Sequence, residues 1–137
     1  MLANRTALVF VLAVASYASS AFALPRTNCP LREHHVLSVT PYYTPKRVKK
    51  GPAMLRLRGA ELFVEAQPGL TAEWLQLTLE RHIAEPHNSA AETDCALAEK
   101  NVSVQVGSGG NGFHVWIVGR DLPEAKEILR RAKLLLK

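Results

Sequence analysis

Val102-Ser-Val-Gln-Val106, Gly107-Ser-Gly-Gly-Asn-Gly112 and Phe113-His-Val-Trp-Ile-Val118 run on without a break, two alternating segments around a glycine-rich tip. Alternation with period two places successive side chains on opposite faces of a strand, so this stretch predicts a β-hairpin. Val102, Val104 and Val106 then share an inner face with Phe113, Val115 and Ile117, while His114, Trp116 and Val118 point the other way. A hairpin with one apolar face is not stable alone; something else in the chain must cover it.

The cover is written on either side. Downstream, Asp121 with Glu124 forms a D-x-x-E capping box that opens a helix to about Leu136. Ala125, Ile128, Leu129, Ala132, Leu135 and Leu136 make its apolar stripe. Upstream, Pro68-Gly69 ends an extended segment and Thr71 is placed to cap a helix from about Ala72 to Glu85, before Pro86. At 100° per residue Ala72, Leu75, Leu79 and Ile83 line one side of that helix. Trp74 and Leu77 fall opposite, near Arg81, as a second apolar patch. Before it, Leu55 and Leu57 alternate with Met54, Arg56 and Arg58. Gly59 then marks a turn or bulge, and Leu62 and Val64 resume the pattern. One-sided helices and one-sided strands are buried together by laying both helices on one face of an antiparallel sheet. The expected fold is therefore α+β, a two-layer sandwich with a sheet of three to four strands in the order β-α-β-β-α.

The tip also matches G-x-G-x-x-G. The dinucleotide fingerprint, however, needs a helix N-terminus after the glycines, and here a strand follows. Gly107-Ser108-Gly109 is no nucleophile elbow for the same reason. No serine or cysteine nucleophile has a recognisable setting, and Glu61, Glu65, Glu73 and Glu80 fall on solvated faces, so no enzyme activity is expected.

The chain begins with a positive residue, Arg5, an apolar run from Thr6 to Ala18 and an A-x-A site at Ala21-Phe22-Ala23. These are the three regions of a cleavable export signal over residues 1–23. Ser16, Ser19 and Ser20 interrupt the run before it reaches the roughly 20 apolar residues that span a bilayer. The expected location is periplasmic or secreted. Cys29 and Cys95, an even count in an oxidising compartment, are then expected to form a disulfide. Arg26-Thr27-Asn28 lacks the small and apolar residues that a lipidated Cys29 would need before it.

Charge divides the rest. From Leu24 to Arg58 eight basic residues face one acid, Glu33; from Gly59 onward eight basic residues face eleven acids. Five prolines, at 25, 30, 41, 45 and 52, deny the basic part long helices and central strands and leave only His35 to Thr40 as a short edge strand. Residues 24–52 thus read as a basic, proline-rich arm and 53–137 as a single α+β domain. Export makes nucleic acid an improbable partner and turns the arm toward anionic lipid or other acidic envelope components.

If the helices cover the side carrying Leu55, Leu62, Val64, Val104 and Val115, the free side presents Arg56, Arg58, Phe63, His114 and Trp116, with Ser103 and Gln105. Aromatic side chains beside arginines suit an anionic or planar ligand, and a second copy on the same face would make a homodimer. A different reading rests on the histidines. His34 and His35 could take copper or zinc in a metal-handling protein, although the spacings of the five histidines match no closed zinc pattern. No cofactor is expected.

The run from Thr71 to Lys133, a helix, Val102-Ser-Val-Gln-Val106, a glycine-rich turn, Phe113 to Gly119 and a helix with Ala125 and Ala132, resembles the BON-type domain of exported bacterial envelope proteins. The resemblance implies envelope maintenance through contact with phospholipids or envelope partners, without catalysis. The family's last strand, after the second helix, has no counterpart here.

Overall fold

The computed structural model describes residues 29–86 and 94–136. Residues 1–23, expected from the sequence to be an export signal, and the stretch around His87 lie outside them. After a single 3-10 turn, Pro30–Glu33, come β1 (Val36–Lys46), β2 (Met54–Glu65), α1 (Ala72–Ala84), β3 (Ser103–Gly109), β4 (Gly112–Val118) and α2 (Leu122–Lys133). The strands form one antiparallel sheet in the order β1-β2-β4-β3. Leu75 and Leu79 of α1 and Ile128 and Ala132 of α2 are buried with Leu62, Val64, Val115 and Ile117, so both helices cover one face. This is the expected α+β sandwich.

Local chemistry sets the boundaries. Thr71 Oγ1 accepts a hydrogen bond from the Trp74 amide at 3.2 Å, and Asp121 Oδ1 accepts one from Glu124 N at 3.0 Å, so both predicted caps are made. Glu124 turns back one residue further than a capping box requires and accepts from the Arg120 amide at 2.8 Å. Regular α2 stops at Lys133, short of Leu136, because the amides of Leu134, Leu135 and Leu136 bond three residues back and tighten the last turn. The glycine-rich tip is a two-residue loop, Gly110-Asn111, with Gly110 at φ +57. A positive φ at the first central residue alone is the sign pattern of a II′ turn, which suits the twist of a hairpin.

One expectation requires correction. The basic segment is not an arm appended to the domain: it supplies β1, which runs on past Thr40 to Lys46 and makes the order β-β-α-β-β-α. Pro41 and Pro45 do not end the strand because β1 lies at the sheet edge, where part of the backbone has no neighbour to bond. Cys29 and Cys95 are joined, tying the start of this segment to the loop before β3. Arg131 reinforces that loop: it donates to the Cys95 carbonyl at 3.2 Å and pairs with Glu99 at 2.7 Å and Glu127 at 2.8 Å. Hydrogen bonds from Arg130, then Arg131, hold the Glu127 carboxyl down to about 2. Fully burying a leucine or isoleucine contributes about 2 kcal/mol, whereas a solvent-screened pair such as Arg130–Glu127 adds little, so the core dominates.

At the other edge, β3 is closed by a side chain. Gln76 of α1 donates from Nε2 to the Val104 carbonyl at 3.0 Å and accepts at Oε1 from the Val106 amide at 2.6 Å, as a neighbouring strand would. Gln76→Ala removes both bonds and bares the edge. We expect a loss of about 2 kcal/mol in denaturant unfolding, with concentration-dependent self-association visible by light scattering.

Candidate functional site

The free face of the sheet is built by register. Ser38 pairs with Phe63 and Phe63 with His114; Thr40 pairs with Glu61 and Glu61 with Trp116. Side chains opposite one another across strands stand on the same face, so these residues gather side by side, away from the helices. Glu61 Oε1 lies 2.8 Å from His114 Nδ1, each side chain about one-third exposed. The His114 ring stacks on Trp116 at 5.7 Å and tilts against Phe63 at 4.9 Å, giving an aromatic row across β2 and β4. Glycines make room for it. A Cβ at Gly109 would come within 2.9 Å of the His114 ring, and one at Gly107 within 3.1 Å of Trp116. Beside the row lies a groove of about 440 Å³, lined by Ser38, Thr40, Glu61, Phe63, His114 and the Gly109–Gly110 turn.

Phe63, His114 and Trp116 therefore meet as expected, but Arg56 and Arg58 do not join them. The two arginines lie further along β2, toward the β1–β2 turn and away from Phe63. The aromatic end instead carries Glu61 and, two residues past Phe63, Glu65, whose carboxylate is 2.8 Å from His35 Nδ1. These two glutamates are thus not merely solvated, as a strand face read from sequence would have them, but paired with His114 and His35. Their signal was the alternation Glu61-x-Phe63-x-Glu65, which puts them on the aromatic side.

The arginines belong to a second feature. β4 pairs with β2 only from Gly59 to Glu65, and the Arg58 carbonyl still accepts from the Gly119 amide at 2.8 Å, so Met54 to Leu57 pair with β1 alone. At roughly 3.3 Å per residue, this two-stranded ribbon extends about 13 Å past the last bond to the β4 end. Between Val36 and Arg58 the sequence has six basic residues, Lys46, Arg47, Lys49, Lys50, Arg56 and Arg58, and no acid. Every residue from Pro45 to Leu55 is exposed. Leu55, expected under the helices, is 71% exposed because it lies beyond them on the ribbon, with Met54 at 65%.

His34 and His35 do not converge as a metal pair. His34 is extended, so the adjacent side chains diverge: His34 is buried edge-on to Trp74 at 6.3 Å, while His35 is exposed on Glu65. Both cysteines are oxidised, and among the described residues no group of three or more His, Cys, Asp or Glu side chains could hold a metal ion. His82 is buried, its Nε2 3.7 Å from Cys95 Sγ. Trp74 and Leu77 remain half exposed or more, with His34 against the indole. Also among the described residues, no helix is long and apolar enough to cross a membrane.

Compared with known proteins, the chain matches no family model, no curated protein and no solved structure. Its function is therefore read from these two features.

Proposed function

We propose that the protein is an exported, non-catalytic module that docks on an anionic lipid surface through the β1–β2 ribbon. The observation that carries this reading is the ribbon itself: six cations without an acid, on a projecting hairpin whose exposed residues include Leu55 and Met54. Clusters of four to eight Lys or Arg suit anionic head groups, each contributing about 1 kcal/mol near the surface. The apolar residues decide between partners. Duplex nucleic acid rewards cations but offers little to exposed Leu55 and Met54, whereas a bilayer boundary takes cations at its head groups and apolar side chains just beneath. The disulfide supports a place in an oxidising compartment, where such lipids are the available counter-charge.

Co-sedimentation tests this directly. The protein should pellet with phosphatidylglycerol-containing vesicles and not with pure phosphatidylcholine, and binding should fall as salt rises. Reversing two exposed charges, Lys49→Glu with Lys50→Glu, should weaken it at least about tenfold, since each reversal removes one attraction and adds one repulsion. Leu55→Ser should weaken the vesicle complex while leaving its salt dependence in place. Salt-sensitive binding to a duplex oligonucleotide with none to vesicles would refute the lipid reading.

A further inference from the structure

We infer that the groove beside the aromatic row is a binding site for a neutral saccharide, separate from the ribbon and independent of the lipid reading. Three properties of the groove point to this ligand class. Its polar wall is rich in acceptors. If Nδ1 of His114 carries the proton shared with Glu61 Oε1, then Glu61 Oε2 and His114 Nε2 are left to accept, beside the hydroxyls of Ser38 and Thr40. Its apolar wall is an aromatic ring, Phe63, partly exposed and held by Gly112, whose missing side chain would meet the ring at 2.9 Å. Its rim is the Gly109–Gly110 turn, where no side chain stands between a ligand and the backbone, and a Cβ at Gly110 would meet nothing within 4 Å.

Charge narrows the class further. A phosphate or carboxylate ligand would face the Glu61 carboxylate at close range, with the arginines of β2 at the far end of the strand. A cation would find one carboxylate already engaged by His114, while Glu65 is turned to His35. What fits is an uncharged molecule that donates several hydrogen bonds and has an apolar face to lay on a ring, and a pyranose has both. At about 440 Å³ the groove lies in the lower part of the range for small-molecule sites, room for a sugar unit or two.

Trp116 supplies the readout. In a Trp74→Phe chain it is the only tryptophan, and it stacks on His114 at the groove wall. Its emission is followed while maltotriose, mannotriose or triacetylchitotriose is added, with choline and inorganic phosphate as charged controls. We expect a saturable change with at least one of the sugars, at least tenfold weaker in Glu61→Gln and Phe63→Ala. Ser38→Tyr, an exposed strand position where tyrosine is well tolerated, should fill the groove and abolish the change without lowering Tm. That variant keeps the test sound should Phe63→Ala destabilise the sheet. Saturation by choline or phosphate alone, no saturable change with any sugar, or a sugar response that survives Ser38→Tyr would each overturn the proposal.

Discussion

Removing the Cys29–Cys95 bond, by replacing both residues with alanine, should lower the melting temperature by about 15 °C or more. The bond closes a loop with a sequence separation of 66, and loop-closure entropy assigns a cross-link of that span about 4 kcal/mol. For a domain of this size 1 kcal/mol shifts Tm by roughly 4 to 8 °C, so even a partial realisation of that figure is a large fraction of total stability. The location argues against a small effect. Both cysteines are at most 3% exposed and pack with Leu31 and Leu97, so their loss also thins the core where the first turn, α1 and the loop before β3 meet. Differential scanning calorimetry of the double variant checks this. A Tm within a few degrees of the parent would mean that the hydrogen bonds and packing of β1 hold the segment without the cross-link.

That cross-link was legible in the sequence because two cysteines allow one pairing. The hairpin from Val102 to Val118 was legible too, since its alternation is local and its glycines leave few alternatives. The same holds for Thr71 and Asp121, whose capping partners stand three residues away. The features that are not legible depend on distant register. β1 is hidden by Pro41 and Pro45, which forbid a central strand and are silent about an edge. The Glu61–His114 pair joins residues 53 apart, and only the pairing of β2 with β4 brings them together. Read singly, Glu61 is one more polar residue on a strand. Gln76 is likewise an ordinary helical glutamine until α1 is laid over the edge of β3.

The arginines illustrate how alternation can be right about faces and still wrong about neighbours. Alternation puts Arg56 and Arg58 with Phe63 because all three oppose the apolar residues of β2. β2 is twelve residues long, however, and its partner β4 covers only the half that ends at Glu65. One strand thus serves two surfaces. Its C-terminal half presents the aromatic, acceptor-rich groove and its N-terminal half the cationic ribbon, and the boundary between them is Gly59.

Gly59→Ala should therefore be among the most damaging single substitutions in the chain, lowering stability by about 3 kcal/mol or more through overpacking. A Cβ at this position would drive into the backbone carbonyl of Ile117 on β4, so no rotamer change can relieve it. The register explains why the approach is so close. Tyr42 pairs with Gly59 and Tyr43 with Leu57, so Arg58 is the extra residue of a bulge that bends β2 just where β4 ends. A suitable control is Gly110→Ala, which has open space around the new methyl and meets only the penalty of φ +57, about 1 to 2 kcal/mol. Urea unfolding should thus rank parent, then Gly110→Ala, then Gly59→Ala, with a clear gap between the variants. Function should follow the bulge as well. The one-residue insertion sets which face Arg56 and Arg58 present relative to Glu61 and Phe63, since a slip of one residue exchanges the faces of a strand. A folded Gly59→Ala protein with its bulge displaced should lose vesicle binding more than its net charge, unchanged by the substitution, can explain. Equal stability of the two glycine variants would show that β2 and β4 can separate at Gly59 without penalty, and that the bulge does not fix the direction of the ribbon.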